Sequence, residues 1–125
     1  MKINLDNIKC YFLTCNELKK QNIKNEFAKY NLVEVNPIMG ISKFRSGVTG
    51  FLRIINKSIQ KQKEKNTFEP FIILEDDVKK YRDFPDNLEV PDDSDILYIG
   101  LSDWGIKSNK NIGEPGVVKY TIINN

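Results

Sequence analysis

Short apolar runs alternate with longer amphipathic segments along the chain. The apolar runs, whose length and composition are typical of strands, lie at 10–14, 32–35, 71–74, 96–99 and 117–123. Between the first three runs, segments 14–30 and 47–63 carry apolar residues at helical spacing. The order strand, helix, strand, helix, strand, followed by further strands, predicts an α/β fold on a mostly parallel sheet flanked by helices.

Local signals suggest where the two helices begin. Thr14 and Glu17 have the spacing of a capping box, in which the Thr14 hydroxyl accepts from a first-turn amide and Glu17 reaches back. Ser46 is the expected N-cap of the second helix, which we expect from about Gly47 to Lys63. The predicted apolar faces consist of Leu18, Ile23, Phe27 and Tyr30 in the first helix, and of Phe51, Leu52, Ile55 and Ile59 in the second.

Composition excludes several kinds of chemistry. The 125 residues are enough for one domain, with 40% hydrophobic and 29% charged residues, as in ordinary globular proteins. The chain has no His, which excludes Ser/His catalysis and His-ligated zinc within it. Cys10 and Cys15 lack CxxC spacing and are expected to be reduced thiols. Since no apolar run approaches the length of a membrane span, we expect a cytoplasmic protein without one.

Charge is distributed unevenly along the chain. Residues 1–68 carry 13 Lys and Arg against 5 Asp and Glu, whereas residues 69–125 carry 6 against 12. The basic first half leaves nucleic-acid binding open, but the chain has no aromatic-interleaved basic motif of the kind that binds RNA. A basic half folded against an acidic half also suits a site that holds a polyphosphate through cations and a carboxylate-bound metal.

Three carboxylates follow the apolar run at 71–74 without interruption: Glu75, Asp76 and Asp77. Ligands of α/β sheets bind beyond the carboxyl ends of strands, where this segment is expected. If the backbone stays extended, Glu75 and Asp77 project from the same side and can share one cation. Mg²⁺ and Mn²⁺ prefer such oxygen ligands. The segment therefore predicts a divalent metal site, with a turn or helix cap as the structural alternative.

Residues 71–78, FIILEDDV, resemble the ILEDDV segment of glycosyltransferase family 25, the lipooligosaccharide and procollagen galactosyltransferase relatives. Residues 47–51, GVTGF, are similar to the GxxGC stretch of that family, and residues 95–102, DILYIGLS, resemble a later strand. The resemblance implies a GT-A-like fold. It also implies transfer of a hexose, galactose or glucose, from a UDP-sugar to a hydroxyl of a glycan or protein, with Mn²⁺ or Mg²⁺ as cofactor.

The resemblance also implies roles for individual residues. The metal would be held by Asp77 with Glu75 or Asp76, and the turn from Thr14 to Glu17 would contact the nucleotide. Arg45 and Ser46 are candidates for contact with the phosphate or donor sugar.

A general base for the transfer has to be a carboxylate in this chain. Asp103 is the first candidate, because it follows a predicted strand and neighbours Trp104, whose flat ring can support a sugar. Members of the family continue well beyond the strand that residues 95–102 resemble, whereas this sequence ends at residue 125. We therefore expect residues 1–125 to form a single nucleotide-sugar-binding domain without the usual C-terminal acceptor part. The alternative is a nucleotide- or metal-binding module without catalysis.

Overall fold

Two helices and five strands are assigned in the computed structural model, which describes residues 1–97 and 99. They are β1 (Lys2–Asn4), β2 (Lys9–Phe12), α1 (Glu17–Glu26), β3 (Asn31–Glu34), α2 (Lys43–Lys65), β4 (Phe71–Leu74) and β5 (Asn87–Glu89). The described chain divides into a main unit, Asp6–Lys80, and a second unit, formed by Met1–Leu5 and the described residues from Tyr81 onward. Neither α1 nor α2 is both long enough and apolar enough to cross a lipid bilayer.

The main unit is built on a parallel sheet with the strand order β3-β2-β4. Tyr11 of β2 lies opposite Val33 of β3 and Ile73 of β4, and both ladders are parallel. Parallel neighbours need crossover connections. α1 connects β2 to its neighbour β3, and α2 carries the chain from β3 past β2 to β4, the neighbour on the other side. The predicted α/β architecture with a parallel sheet is thereby confirmed for the main unit, while its GT-A-like character stays a prediction.

The core of the main unit is centred on β2, which is paired on both sides. Cys10 and Phe12 of β2 are 0% and 1% exposed, and Ile23 and Phe27 of the α1 segment are 0% and 2% exposed. Fully burying such side chains stabilises a fold by about 1.5–3 kcal/mol each. The Tyr11 ring makes an edge-to-face contact with Phe71 of β4, with 5.6 Å between the ring centres.

The start of α1 differs from the prediction. Asn16 is the N-cap, and its side-chain oxygen accepts from the Lys19 amide at 3.0 Å. The capping box of Thr14 and Glu17 was wrong, because the Thr14 hydroxyl accepts from the Asn16 amide at 3.1 Å, before the helix begins. Glu17 is the first helical residue, and its carboxylate pairs with Lys20 at 3.2 Å. Leu18, predicted to face the core, is 71% exposed.

The second helix begins one turn earlier than predicted. Ser42 is its N-cap and accepts from the Arg45 amide at 3.2 Å, so the N-cap assigned to Ser46 was wrong. Ser46 lies inside α2, where its buried hydroxyl accepts from the Ile38 amide at 2.9 Å. The predicted core face was wrong in part, because Leu52 and Ile59 are exposed whereas Ile54, one position before Ile55, is buried.

Close packing explains why a glycine-containing segment is helical here. A side chain at Gly50 would overlap Leu13, the residue directly after β2, whereas one at Gly47 would meet no atom within 4 Å. Gly disfavours helix by about 1 kcal/mol relative to Ala, so each of these two glycines weakens the local preference for helix. The close approach of α2 to Leu13 overrides that preference.

The second unit contains a short antiparallel pair, in which Lys2 of β1 lies opposite Glu89 of β5. The N-terminal ammonium of Met1 donates to the Val90 carbonyl at 2.6 Å and pairs with the Asp92 carboxylate at 2.7 Å. Hydrogen bonding to Asp92 raises the pKa of this ammonium, and the pKa of Asp92 is lowered in turn. Neither β1 nor β5 is among the strands predicted from the sequence.

Several sequence predictions fall at or beyond the end of the described residues. In the strand predicted at 96–99, Leu97 forms an isolated β-bridge, and residue 98 is not among the described residues. The strand predicted at 117–123 and the candidate base Asp103 with its neighbour Trp104 lie outside the described residues.

Candidate functional site

The strand order of the main unit reverses at β2. From β2 the chain passes through α1 to β3 on one side, and then through α2 to β4 on the other side. Because β2 and β4 are adjacent and parallel, the segments that follow them leave the sheet side by side at its carboxyl edge. Crevices at such topological switch points are the usual ligand sites of open α/β sheets.

A crevice of about 530 Å³ lies at this place. Its lining comes from three segments of the main unit: residues 13–16 with Lys19, the first turns of α2, and the acidic turn 75–77. This volume is in the range of sites that hold a small molecule or cofactor. Thr14 and the three carboxylates, all predicted to belong to the site, are thus brought together by the fold.

The acidic turn has a different backbone from the one assumed in the sequence analysis. The Val78 amide donates to the Glu75 carbonyl at 3.2 Å, so residues 75–78 form a tight turn and the extended backbone was wrong. Glu75 and Asp77 are exposed and Asp76 is half-buried. Their convergence on the crevice therefore follows from the turn and not from strand alternation.

Lys19 compensates part of the negative charge of this turn. Its ammonium lies 3.2 Å from a carboxylate oxygen of Asp76, and the two side chains are 43% and 40% exposed. The pair connects the first turn of α1 to the turn after β4. Sequence reasoning missed Lys19, although the Asn16 cap signal, had it been recognised, would have placed Lys19 in the first turn of α1, beside the crevice.

Two helices begin at the crevice, and both bring cationic groups to it. Lys43 is the first residue of α2 and lines the crevice, as does Lys19 in the first turn of α1. Helix N-termini carry unpaired amides and partial positive charge, which favour anions. The crevice thus combines positive groups on its helical side with carboxylates on the β4 side.

Other predicted contact residues lie away from the lining. Glu17 pairs with Lys20, and Arg45 is exposed in the first turn of α2 without lining the crevice. Ser46 is buried beneath that turn and holds the Ile38 amide. The first turns of α2 line the crevice with other residues than the predicted Arg45 and Ser46, among them Lys43, Phe44 and Gly47.

The donor groups of the crevice determine whether a metal ion could bind there. Residues 1–97 and 99 contain no group of three or more Cys, Asp or Glu side chains arranged to hold a metal ion. Mg²⁺ commonly binds through one or two carboxylates and completes its shell with water and substrate phosphate oxygens. The oxygen donors Glu75 and Asp77 fit a hard divalent cation of this kind, provided that a ligand supplies further oxygens.

Comparisons with known proteins add nothing to this geometry: no protein-family model, no curated protein and no solved structure matches the chain.

Proposed function

We propose that the crevice binds a UDP-hexose and that the protein transfers the hexose to a hydroxyl of a glycan or protein acceptor. The observation that carries the proposal is the meeting of two helix N-termini and the acidic turn at the switch point of a parallel sheet. The resemblance of residues 71–78 to the acidic motif of glycosyltransferase family 25 supports the same substrate class.

Each side of the crevice has a part in binding the diphosphate. Lys19 and Lys43, together with the first-turn amides of α1 and α2, would contact phosphate oxygens. Glu75 and Asp77 would hold Mn²⁺ or Mg²⁺, which supplies neutralisation of charge on the departing diphosphate. Phe44 and Phe51, which also line the crevice, offer apolar surface to the uracil ring.

The acceptor hydroxyl must lose a proton as it attacks the sugar. Inverting transfer assigns this proton to a carboxylate, and Asp103 is the residue proposed for it. A non-catalytic binding module would make the same contacts to the donor. It would differ from a transferase only in that it does not transfer the hexose to an acceptor.

Thermal unfolding of the full chain with UDP, UDP-glucose and UDP-galactose, each with and without Mn²⁺, tests the donor site. A ligand at about 100 times its dissociation constant stabilises the folded state by ~2.7 kcal/mol, which raises the Tm by several degrees. We expect this rise only when nucleotide and metal are both present. Asp77→Asn should abolish it, while Asp93→Asn, an exposed carboxylate of the second unit, should retain it. No rise with any nucleotide in either condition would overturn the proposal.

Release of UDP from the bound donor separates the two alternatives. A transferase hydrolyses its donor slowly when no acceptor is present, and faster with a suitable acceptor. Binding without any turnover, across a panel of hydroxyl acceptors, would support the binding module and reject the transferase.

A further inference from the structure

One face of α2 carries apolar side chains that are open to solvent. Phe44, Val48, Leu52 and Ile59 are 80%, 43%, 52% and 46% exposed. With about 3.6 residues per turn, their spacing places them along one side of the helix, largely opposite the buried side that contains Gly50 and Ile54. We call these four residues the α2 stripe. Contiguous exposed apolar surface of this kind marks a site of interaction rather than an ordinary solvated helix.

The same helix is strongly basic. Its 23 residues contain seven Lys and Arg and a single acidic residue, Glu64. Arg45 and Lys63 are exposed and lie close to Leu52 around the helix, so both lie beside the α2 stripe, whereas Arg53 lies nearer the buried side. Of the seven, Lys61 forms an ion pair within the described part of the chain, with Glu69 at 3.7 Å. The basic groups beside the stripe are therefore available to an anionic partner.

The combination selects among possible partners. A second copy of the chain would bring two basic helices together, and like charges in contact are unfavourable. Nucleic acid would use the basic residues through its phosphates but offers no apolar layer to Leu52 and Ile59. An anionic bilayer satisfies both features, because its headgroups attract Lys and Arg while its acyl boundary accepts apolar side chains.

We propose that α2 binds the surface of an anionic phospholipid bilayer, with Leu52 and Ile59 of the α2 stripe in the headgroup and acyl boundary and Arg45 and Lys63 at the lipid phosphates. The helix lies on the membrane without crossing it. Leu52 and Ile59 do not line the crevice, so this inference holds or fails separately from the nucleotide proposal, whereas Phe44 and Val48 at the start of the α2 stripe do line it.

Flotation of the full chain with vesicles tests this inference. We expect binding to phosphatidylcholine vesicles containing 30% phosphatidylglycerol, weak binding to pure phosphatidylcholine, and loss of binding as salt increases. Leu52→Ser with Ile59→Ser should weaken binding on the order of tenfold, since less apolar area is buried. Leu18→Ser, which changes an exposed leucine on α1, should have no effect.

A charge-matched pair of variants tests the basic residues. Arg45→Gln with Lys63→Gln should weaken binding on the order of tenfold, because each basic residue near an anionic surface contributes to attraction. Lys2→Gln with Lys9→Gln removes the same charge from exposed positions outside α2 and should reduce binding much less. Circular dichroism of each variant confirms that it is folded.

Three results would overturn the inference. One is equal binding to neutral and anionic vesicles, or binding to neither. Another is a dimer, seen by light scattering, that Leu52→Ser with Ile59→Ser converts to monomer in a chain that binds no vesicles. The third is duplex nucleic-acid binding that depends on Arg45 and Lys63 but not on Leu52 and Ile59, again without vesicle binding.

Discussion

The ammonium of Lys19 and the carboxylate of Asp76 form an ion pair of 3.2 Å at the edge of the crevice. Both side chains are about two-fifths exposed, and pairs of this kind contribute about 0–1 kcal/mol to stability. The ion pair therefore matters more for the charge of the crevice than for the stability of the fold. Lys19 holds one of three neighbouring carboxylates and presents a cation where a diphosphate would bind.

Replacing Lys19 therefore separates stability from binding. For Lys19→Gln we expect a change of less than ~1 kcal/mol in the free energy of unfolding, with about a tenfold loss of UDP affinity in Mn²⁺. Isothermal titration calorimetry and urea unfolding measure the two quantities. Lys24→Gln is the matched control, because Lys24 is also half-exposed, pairs with Glu34 at 3.7 Å and does not line the crevice. Equal loss of UDP affinity in both variants would contradict a role for Lys19 at the phosphates.

The two glycines of α2 should respond in opposite ways to alanine. Gly50→Ala gains helix propensity of about 1 kcal/mol but forces a methyl group into the buried Leu13 side chain, and overpacking costs about 1–3 kcal/mol. We expect a net loss of stability of about 1 kcal/mol. Gly47→Ala meets no atom within 4 Å and should gain up to ~1 kcal/mol. Urea denaturation measures both, and a similar gain in both variants would show that α2 is not held against Leu13.

Cysteine reactivity gives an independent view of the crevice. Cys15 is exposed and lines the crevice, whereas Cys10 is buried in β2. N-ethylmaleimide should modify one thiol in the native protein and both in denaturant. Bound UDP with Mn²⁺ should slow the modification of Cys15 several-fold, as followed by mass spectrometry. Protection that persists in Asp77→Asn would show that the nucleotide binds without the metal site.

Burial of Cys10 makes stability depend on pH in the alkaline range. Burial raises the pKa of its thiol from 9.0 to about 11. Because the folded state keeps the proton more tightly than the unfolded state, the stabilisation is complete below pH 9 and is lost as pH rises through 11. Wild type should lose roughly 1–2 kcal/mol more than Cys10→Ala between pH 8.5 and 11, as measured by urea unfolding at each pH. Parallel pH profiles for the two proteins would contradict this assignment.

Elements whose own residues show a clear pattern of apolar and charged positions were predicted well. β4 is four apolar residues followed by three carboxylates, and both its position and its place beside the site follow from that pattern. β1 and β5 have three residues each with only the central one partly buried, and Lys2 pairs with Glu89 at the far end of the described chain. Nothing within either segment indicates such a pairing.

The start of α2 and the position of Lys19 depend on contacts distant in sequence. Both Ser42 and Ser46 can cap a helix, but the Ser46 hydroxyl accepts from the distant Ile38 amide, whereas the Ser42 hydroxyl accepts from the Arg45 amide and caps α2. Lys19 meets Asp76 from 57 positions away, so its role emerges only once the sheet is assembled. The carboxylates of the site were thus predicted from the sequence, whereas the lysine that pairs with one of them was not.

The crevice has a rigid side, which continues from the central strand β2, and a side that can move, which is formed by α2. Leu13, Thr14 and Cys15 continue directly from a strand that is hydrogen-bonded on both sides, so displacing them means breaking two ladders at once. The opposite rim is the first turns of α2, where Phe44 is largely exposed and the space beside Gly47 is open. Ligands of different size would therefore be accommodated by movement of the α2 rim, over a floor that keeps its shape.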